Sequence, residues 1–237
     1  MLAKIDAAKG YVYSWAGEWS NYFGLKNQNE QLAKRVNELE NEVANYKAMR
    51  LIDTTIVYDN QGVQLYTFIP AEVVKNSTNT QNNSFIINVG SNHGIKPDMG
   101  VISQEGVVGV VRRVSGNFST VMSVLNTESR ISAKLKNTEF FGPLVWNGES
   151  VQRASLIEIP QHAPVNKGDT IVSSGYSTIF PEGIIIGTVE DFKVSKGTFH
   201  EIDVKLNPDF SSLRYVSVIN MPQRNEIKEL EQNNSKQ

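Results

Sequence analysis

The residues whose types and order suggest chemistry are Ser173 and Ser174, set against Gly175 a few positions after Asp169 in GDTIVSSGYSTIFPEGIIIGTV. In a β-barrel serine hydrolase one such hydroxyl would attack, a histidine would take its proton, and a carboxylate would orient the histidine. The chain has three histidines: His93, His162 and His200. In the order His, Asp, Ser the candidate base is His93, in SNHGIKPDMG, whose Asn, Gly and Pro spell a turn between strands. His162 sits in a second connector, before Ala-Pro, and His200 opens a late strand near Asp203. None carries a local signature of a base, and Gly-Asp-Ser-Gly is absent. No two histidines stand at i, i+4 and cysteine is absent, so no metal-ligand spacing is offered. No glycine-rich phosphate loop precedes a helix, and no cofactor is expected. Asn76, Asn82, Asn117 and Asn233 match Asn-x-Ser/Thr, as expected by chance in an Asn-rich chain. The competing reading makes the serine stretch a corner between strands. Gly175 and Gly183 would take positive φ, Pro181 would fix its own, the serines would serve the turn's backbone, and Ile179-Phe180 could plug a barrel mouth.

The elements around these residues are of two kinds. At 237 residues the chain suits one or two domains, and its formal net charge of -2 offers no basic surplus for nucleic acid. No window reaches the roughly 18 apolar residues of a membrane helix, and the N-terminus lacks the apolar core of a signal peptide. The expectation is a cytosolic protein or one with a segment removed upstream. After Ile52 come TTIVYD, QLYTFIPAEVV, SFIINVG, GVISQEG, VVGVVRRV, STVMSVL, RISAKL, FGPLVW, ASLIEIP, DTIVSSG, GIIIGTVEDF, EIDVKL and YVSVIN. These Val- and Ile-rich runs, punctuated by Gly, Pro, Asn and Asp, predict an all-β barrel or sandwich of two small units. Gly106, Gly109, Gly183 and Gly187 fall at or within strands, where glycine marks a bulge or barrel corner. NSTNTQNN, from Asn76, reads as an exposed loop, and the tail after Pro222 as frayed.

From Tyr22 to Arg50 helix formers dominate. Tyr22, Asn29, Val36 and Val43 recur every seven residues, as do Leu25, Leu32, Leu39 and Tyr46. Taken as a and d positions they form the seam of a parallel two-stranded coiled coil. Arg35 at g would face Glu40 at e of a partner helix, and Glu42 would face Lys47; Asn29 at a would set register. At about 1.5 Å per residue the stalk would run roughly 40 Å. The alternative is one amphipathic helix packed on its own domain. Upstream, Tyr11, Trp15, Trp19 and Tyr22 lie at helical spacing, with Tyr13 and Phe23 beside them. They either extend the seam or form an aromatic belt just outside a membrane.

INVGSNHGIKPDMGVISQEGVVGVV, SVLNTESRISAKL, GPLVWNG and GDTIVSSGYSTIFPEGIIIGTVEDF, in this order from about Phe85 to Asn220, resemble the rod shape-determining MreC family. Within them GVVGVV and the GDTIVSSG…FPEGIIIGTV block are the most specific. They carry Gly106, Gly109, Gly168, Asp169, Ser174, Gly175, Pro181, Gly183 and Gly187 as motif turn residues. The resemblance implies an inner-membrane protein whose single membrane helix stands upstream of this sequence, with a dimerising periplasmic helix and two β-barrels. Those barrels look like those of chymotrypsin-like proteases but lack catalytic residues, which makes the serines structural. It also implies a non-enzymatic scaffold of peptidoglycan synthesis during elongation. The partners implied are a class B penicillin-binding transpeptidase, MreD, RodA and MreB.

The fold expected is therefore mainly β: an N-terminal coiled-coil helix followed by two small β-barrel subdomains. Residues 1–20 are a membrane-proximal segment and 21–51 the dimerising helix. The first barrel spans 52–118 and 196–222, with EIDVKL and YVSVIN returning to it; the second spans 119–195, and 223–237 is a flexible tail. A periplasmic transport adaptor also joins coiled coil to β-barrel, but it needs two antiparallel helices where one is read here. A serine hydrolase needs a base that the sequence does not present.

Overall fold

Runs of Val and Ile make strands because β-branched side chains fit a pleated surface, while the intervening Gly, Asn and Asp supply turn conformations. A computed structural model describes residues 35–36, 56–58, 64–195 and 198–223. Thirteen strands lie among them. They are β1 (Ile56–Tyr58), β2 (Gln64–Asn76), β3 (Asn82–Ile87), β4 (Gly100–Ser103), β5 (Gly106–Val114), β6 (Ser119–Asn126) and β7 (Ile131–Leu135). Then follow β8 (Phe141–Val145), β9 (Arg153–Pro160), β10 (Thr170–Ser173), β11 (Ile185–Ser195), β12 (Phe199–Leu206) and β13 (Tyr215–Asn220).

Two antiparallel barrels result. In the first, strands run β2-β13-β4-β5-β6-β3, and pairing of β3 with the far end of β2 closes the ring, with β1 added beside β2. The second closes as β10-β11-β12-β9-β8-β7. Closure leaves no row of unpaired backbone groups around either ring. Register shifts help each strand curve, for instance between Val101 and Ile102 or Ile171 and Val172.

The second barrel is inserted between β6 and β13, and its limits differ from those drawn on the sequence. Ser119–Asn126, expected in the second barrel, pairs with β3 and β5 of the first. EIDVKL, expected to return to the first, is β12 of the second, between β11 and β9. Only YVSVIN returns, as β13 between β2 and β4. The reason is local: β12 follows β11 directly, and a hairpin is the cheapest pairing in loop entropy. The NSTNTQNN stretch also needs correcting. Its last residues begin β3, and Asn83 is fully buried. There its Oδ1 accepts from Thr80 N (2.9 Å) and Ser77 Oγ (3.1 Å), while Nδ2 donates to Leu125 O (2.8 Å).

Buried side chains from both rings form one continuous apolar cluster, from Phe85, Ile87, Val101 and Val218 in the first to Leu135, Leu144, Leu156 and Ile202 in the second. Of the predicted seam and its ion pairs, only Arg35 and Val36 are described; both are helical and exposed. Tyr22, Leu25, Asn29, Leu32, Leu39, Glu40, Glu42, Val43, Tyr46 and Lys47 lie outside the described residues, as do the N-terminal aromatics and the tail from residue 224.

Candidate functional site

The serine stretch joins β10 to β11, which pair as a hairpin. Ser173 ends β10 and is almost fully buried. Its hydroxyl donates to Pro181 O (2.5 Å) and accepts from Ile184 N (2.9 Å), tying both ends of the turn together. The Ser174 hydroxyl shares a 2.7 Å hydrogen bond with Ser132 Oγ of β7 and accepts from Tyr176 N at 3.1 Å. Gly175, at φ 79°, turns the chain where a Cβ would press on Glu182 Cβ at 2.9 Å. Gly168 and Gly183 hold positive φ in neighbouring turns. Asp169 Oδ2 accepts from Asn166 N (2.8 Å) and shapes the turn into β10.

No histidine joins these serines. His93 lies in a single 3-10 turn of the first barrel, where its Nδ1 accepts from Gly90 N (3.1 Å). His162 packs edge-on to Phe140. His200, on β12, packs edge-on to Phe192, and its Nε2 must carry the proton because it donates to the carbonyl of Gln161 (3.0 Å). That leaves Nδ1 buried without a partner. Among the described residues no three His, Cys, Asp or Glu side chains group as metal ligands. A hollow of about 230 Å³ beside β7 is lined by Lys136, Thr138, Asn166 and Asp169 among others. It is smaller than typical ligand pockets of about 300–1,000 Å³.

The motif residues converge instead on the junction of the barrels. All six residues of Gly106–Val111 are buried, so β5 is covered on both faces rather than one. At its start Gly106, at φ 142°, lies so close to the carbonyl of Ile185 in β11 that a Cβ would collide with it. Gly109 and Gly187 admit the carbonyls of Met122 and Lys205 within their own barrels. Phe180, 2% exposed, crosses from the serine loop to lie on Gly100 of β4, where a Cβ would come within 2.5 Å of the ring. Phe180 is thus an inter-barrel anchor and not a free plug. On another side Glu105, in the β4–β5 turn, receives Asn207 Nδ2 at its carbonyl (2.6 Å) and Asp209 N at its carboxylate (3.0 Å). The Ser212 hydroxyl and then the Ser211 N–H hold the Asp209 carboxyl below the usual carboxylate range.

The loop also roofs an ion cluster. Ile131, Ala133 and Leu135 point into the barrel, so Lys134 points out, yet its side chain is only 5% exposed. Its Nζ meets Glu182 Oε1 at 2.6 Å and Glu139 Oε1 at 3.7 Å. The hydrogen bond to Glu182 is the main cause raising the Lys134 pKa, against the effect of burial. Beside this cluster Tyr176 lies against Phe141 of β8, ring centroids 4.5 Å apart. Sequence reading missed Lys134, Gly100, Phe141 and Tyr176. A lysine in an alternating strand reads as solvated, and only the fold of the loop covers it.

Residues 73–220 match the family model described as rod shape-determining protein MreC, barrel core. The chain is 30% identical over 207 residues to the cell shape-determining protein MreC of Listeria monocytogenes, covering 82% of this chain and 70% of that protein. A solved structure of Listeria MreC superposes with a TM-score of 0.62 at 28% identity, covering 83% of this chain and 94% of the other. The MreC fold recurs, at 18% identity and a TM-score of 0.55, in a structure described as a complex between a penicillin-binding protein and MreC from Helicobacter pylori. That match covers 66% of this chain and 99% of the other.

Proposed function

This chain belongs to the MreC family of rod shape-determining proteins, and from that premise we propose that it is a non-enzymatic scaffold of cell elongation. The observation that carries the reading is the extent of the match: residues 73–220 run from β2 to β13, through both barrels and the junction between them. The serines support it in a second way. Each hydroxyl is committed to the architecture of its turn and no base is bonded to it, so the stretch that suggested a nucleophile holds the barrels' shape.

The barrels present a protein-binding surface whose partner is a class B penicillin-binding transpeptidase, in line with the complex described for the Helicobacter protein. MreD, RodA and MreB belong to the same assembly. The scaffold works at the periplasmic face of the inner membrane and is dimerised through the seam from Tyr22 to Tyr46. Such a protein changes rates without chemistry: tethering raises the effective concentration of its partners, and binding one conformation of an enzyme preferentially raises that state's population.

A pull-down tests this. Tagged chain, residues 1–237, is incubated with detergent-solubilised envelope of the source cell, and eluates are read by mass spectrometry. Recovery of a class B transpeptidase above a mock resin supports the scaffold; recovery of no wall-synthesis enzyme overturns it.

A further inference from the structure

We propose that Asn147 modifies itself: the turn joining β8 to β9 promotes cyclisation of its side chain onto the Gly148 nitrogen, with loss of ammonia, converting the asparagine to aspartate and isoaspartate. The site lies in the GPLVWNG block, and Asn147 is the only asparagine of the chain followed by glycine. Glycine has no side chain to hinder approach to its nitrogen. Gly148 holds φ 88° in open space, where the nearest atom to an added Cβ is Thr127 Cγ2 at 3.8 Å.

The hydrogen bonds of the turn prepare both reacting atoms. Asn147 Oδ1 accepts from Glu149 N at 3.1 Å, so the side chain bonds its own backbone two residues on. The ring closed by that bond contains Asn147 Cγ and Gly148 N, and it keeps electrophile and nucleophile together. The Glu149 N–H also faces the oxygen on which negative charge develops when Cγ is attacked, the place of an oxyanion donor. Asn147 Nδ2 donates to Glu149 Oε2 at 3.0 Å, which fixes the orientation of the amide. Among the described residues nothing bonds the Gly148 N–H. Asn147, Gly148 and Glu149 are all exposed, so solvent hydroxide reaches that proton.

The step balances with water alone. Hydroxide takes the Gly148 N–H proton, and the nitrogen bonds to Asn147 Cγ. The Cγ–Nδ2 bond breaks, and the leaving nitrogen takes a proton from water to depart as ammonia, which restores the hydroxide. Water then opens the cyclic imide at either carbonyl. Each conversion adds a negative charge beside Glu149, and the isoaspartyl form also carries Cβ into the main chain. The hairpin stays closed around this change, because Trp146, 5% exposed, donates from Nε1 to Ser150 O at 2.6 Å across the turn. Thr127, next to Gly148, lies in the connection between β6 of the first barrel and β7 of the second, so the mark accumulates where the chain passes between barrels.

The test incubates full-length chain at mildly alkaline pH, folded and in urea. Asparagine-containing peptides are followed by mass spectrometry, and isoaspartate is identified with a protein isoaspartyl methyltransferase. In the folded chain Asn147 is expected to convert at least as fast as in urea. Asn117 and Asn137, exposed but followed by Phe and Thr, should remain amides. Glu149→Pro removes the N–H donor and is expected to slow conversion about twofold to tenfold, the span of one ordinary hydrogen bond. Glu149→Ala keeps the N–H and should leave the rate unchanged, with Trp146 fluorescence reporting that the hairpin persists in both variants. Slower conversion folded than in urea, a comparison that needs no variant, overturns the proposal. Equal conversion at Asn117 or Asn137 overturns it too. Glu149→Ala slowing the reaction as much as Glu149→Pro overturns the part assigned to the N–H.

Discussion

A serine becomes a nucleophile only when a base takes its proton, and here both hydroxyls are engaged elsewhere. Ser173, 1% exposed, bonds the turn at Pro181 and Ile184. Removing the hydroxyl strands a buried N–H and a carbonyl, so Ser173→Ala should cost about 1–3 kcal/mol in urea denaturation. Ser174→Ala, which leaves unpaired the Ser132 hydroxyl and the N–H of the exposed Tyr176, should cost about 1 kcal/mol. A hydrolase reading would instead expect intact stability and altered chemistry. Asp209 gives a pH-dependent prediction. Its folded pKa is depressed, so its contribution is present above the unfolded carboxylate value and is lost as pH falls through the folded one. Asp209→Asn should therefore be less stable than the unsubstituted chain at pH 7, and the two should converge in strong acid. Parallel denaturation curves across that range check it.

At the scale of elements, the serine loop and the β4–β5 hairpin work as one joint. The Phe180 ring rests on Gly100, and the Ile185 backbone rests on Gly106. A methyl at Gly100 must displace a buried ring, so Gly100→Ala is expected to destabilise by about 1–3 kcal/mol. It should also raise hydrogen exchange in the loop from Ser174 to Gly183, while exchange at Val204 in β12 stays slow. Uniform acceleration would mean that the joint does not open separately. This joint was half legible. The unbroken apolar run GVVGVV says that β5 is covered on both faces, because a half-exposed strand alternates. It does not say what covers the second face. Gly100 stands in an ordinary turn-to-strand position, and nothing nearby in sequence marks Phe180 as its neighbour.

For the whole molecule, the long-range pairing of β13 with β2 and β4 encloses the second barrel as an insertion. Both barrels draw on one apolar cluster, so they share stability across the junction. Self-association belongs to this scale. For the proposed seam, Leu32→Asp/Leu39→Asp should leave the barrel melting transition in place and give a monomer in sedimentation where the unsubstituted chain is expected to run as a dimer, because unpaired charge buried in a seam is costly. A dimer that survives the double substitution would assign self-association to the barrels.

For the thirteen described strands the sequence by itself determined the kind of element, and it determined the family, because both rest on local signals. Val- and Ile-rich runs ended by turn residues mark all thirteen strands, and motif blocks in fixed order mark the family. Tertiary structure alone decided which ring each strand joins. Strand membership is a matter of hydrogen-bonded partners, and EIDVKL has the same pattern whether it pairs with β11 or with β4. Tertiary structure likewise decided that Lys134 is covered and Tyr176 exposed, since the same loop buries one and presents the other. An alternating pattern gives the direction in which a side chain points from its sheet; what lies on that side depends on distant chain folding over it.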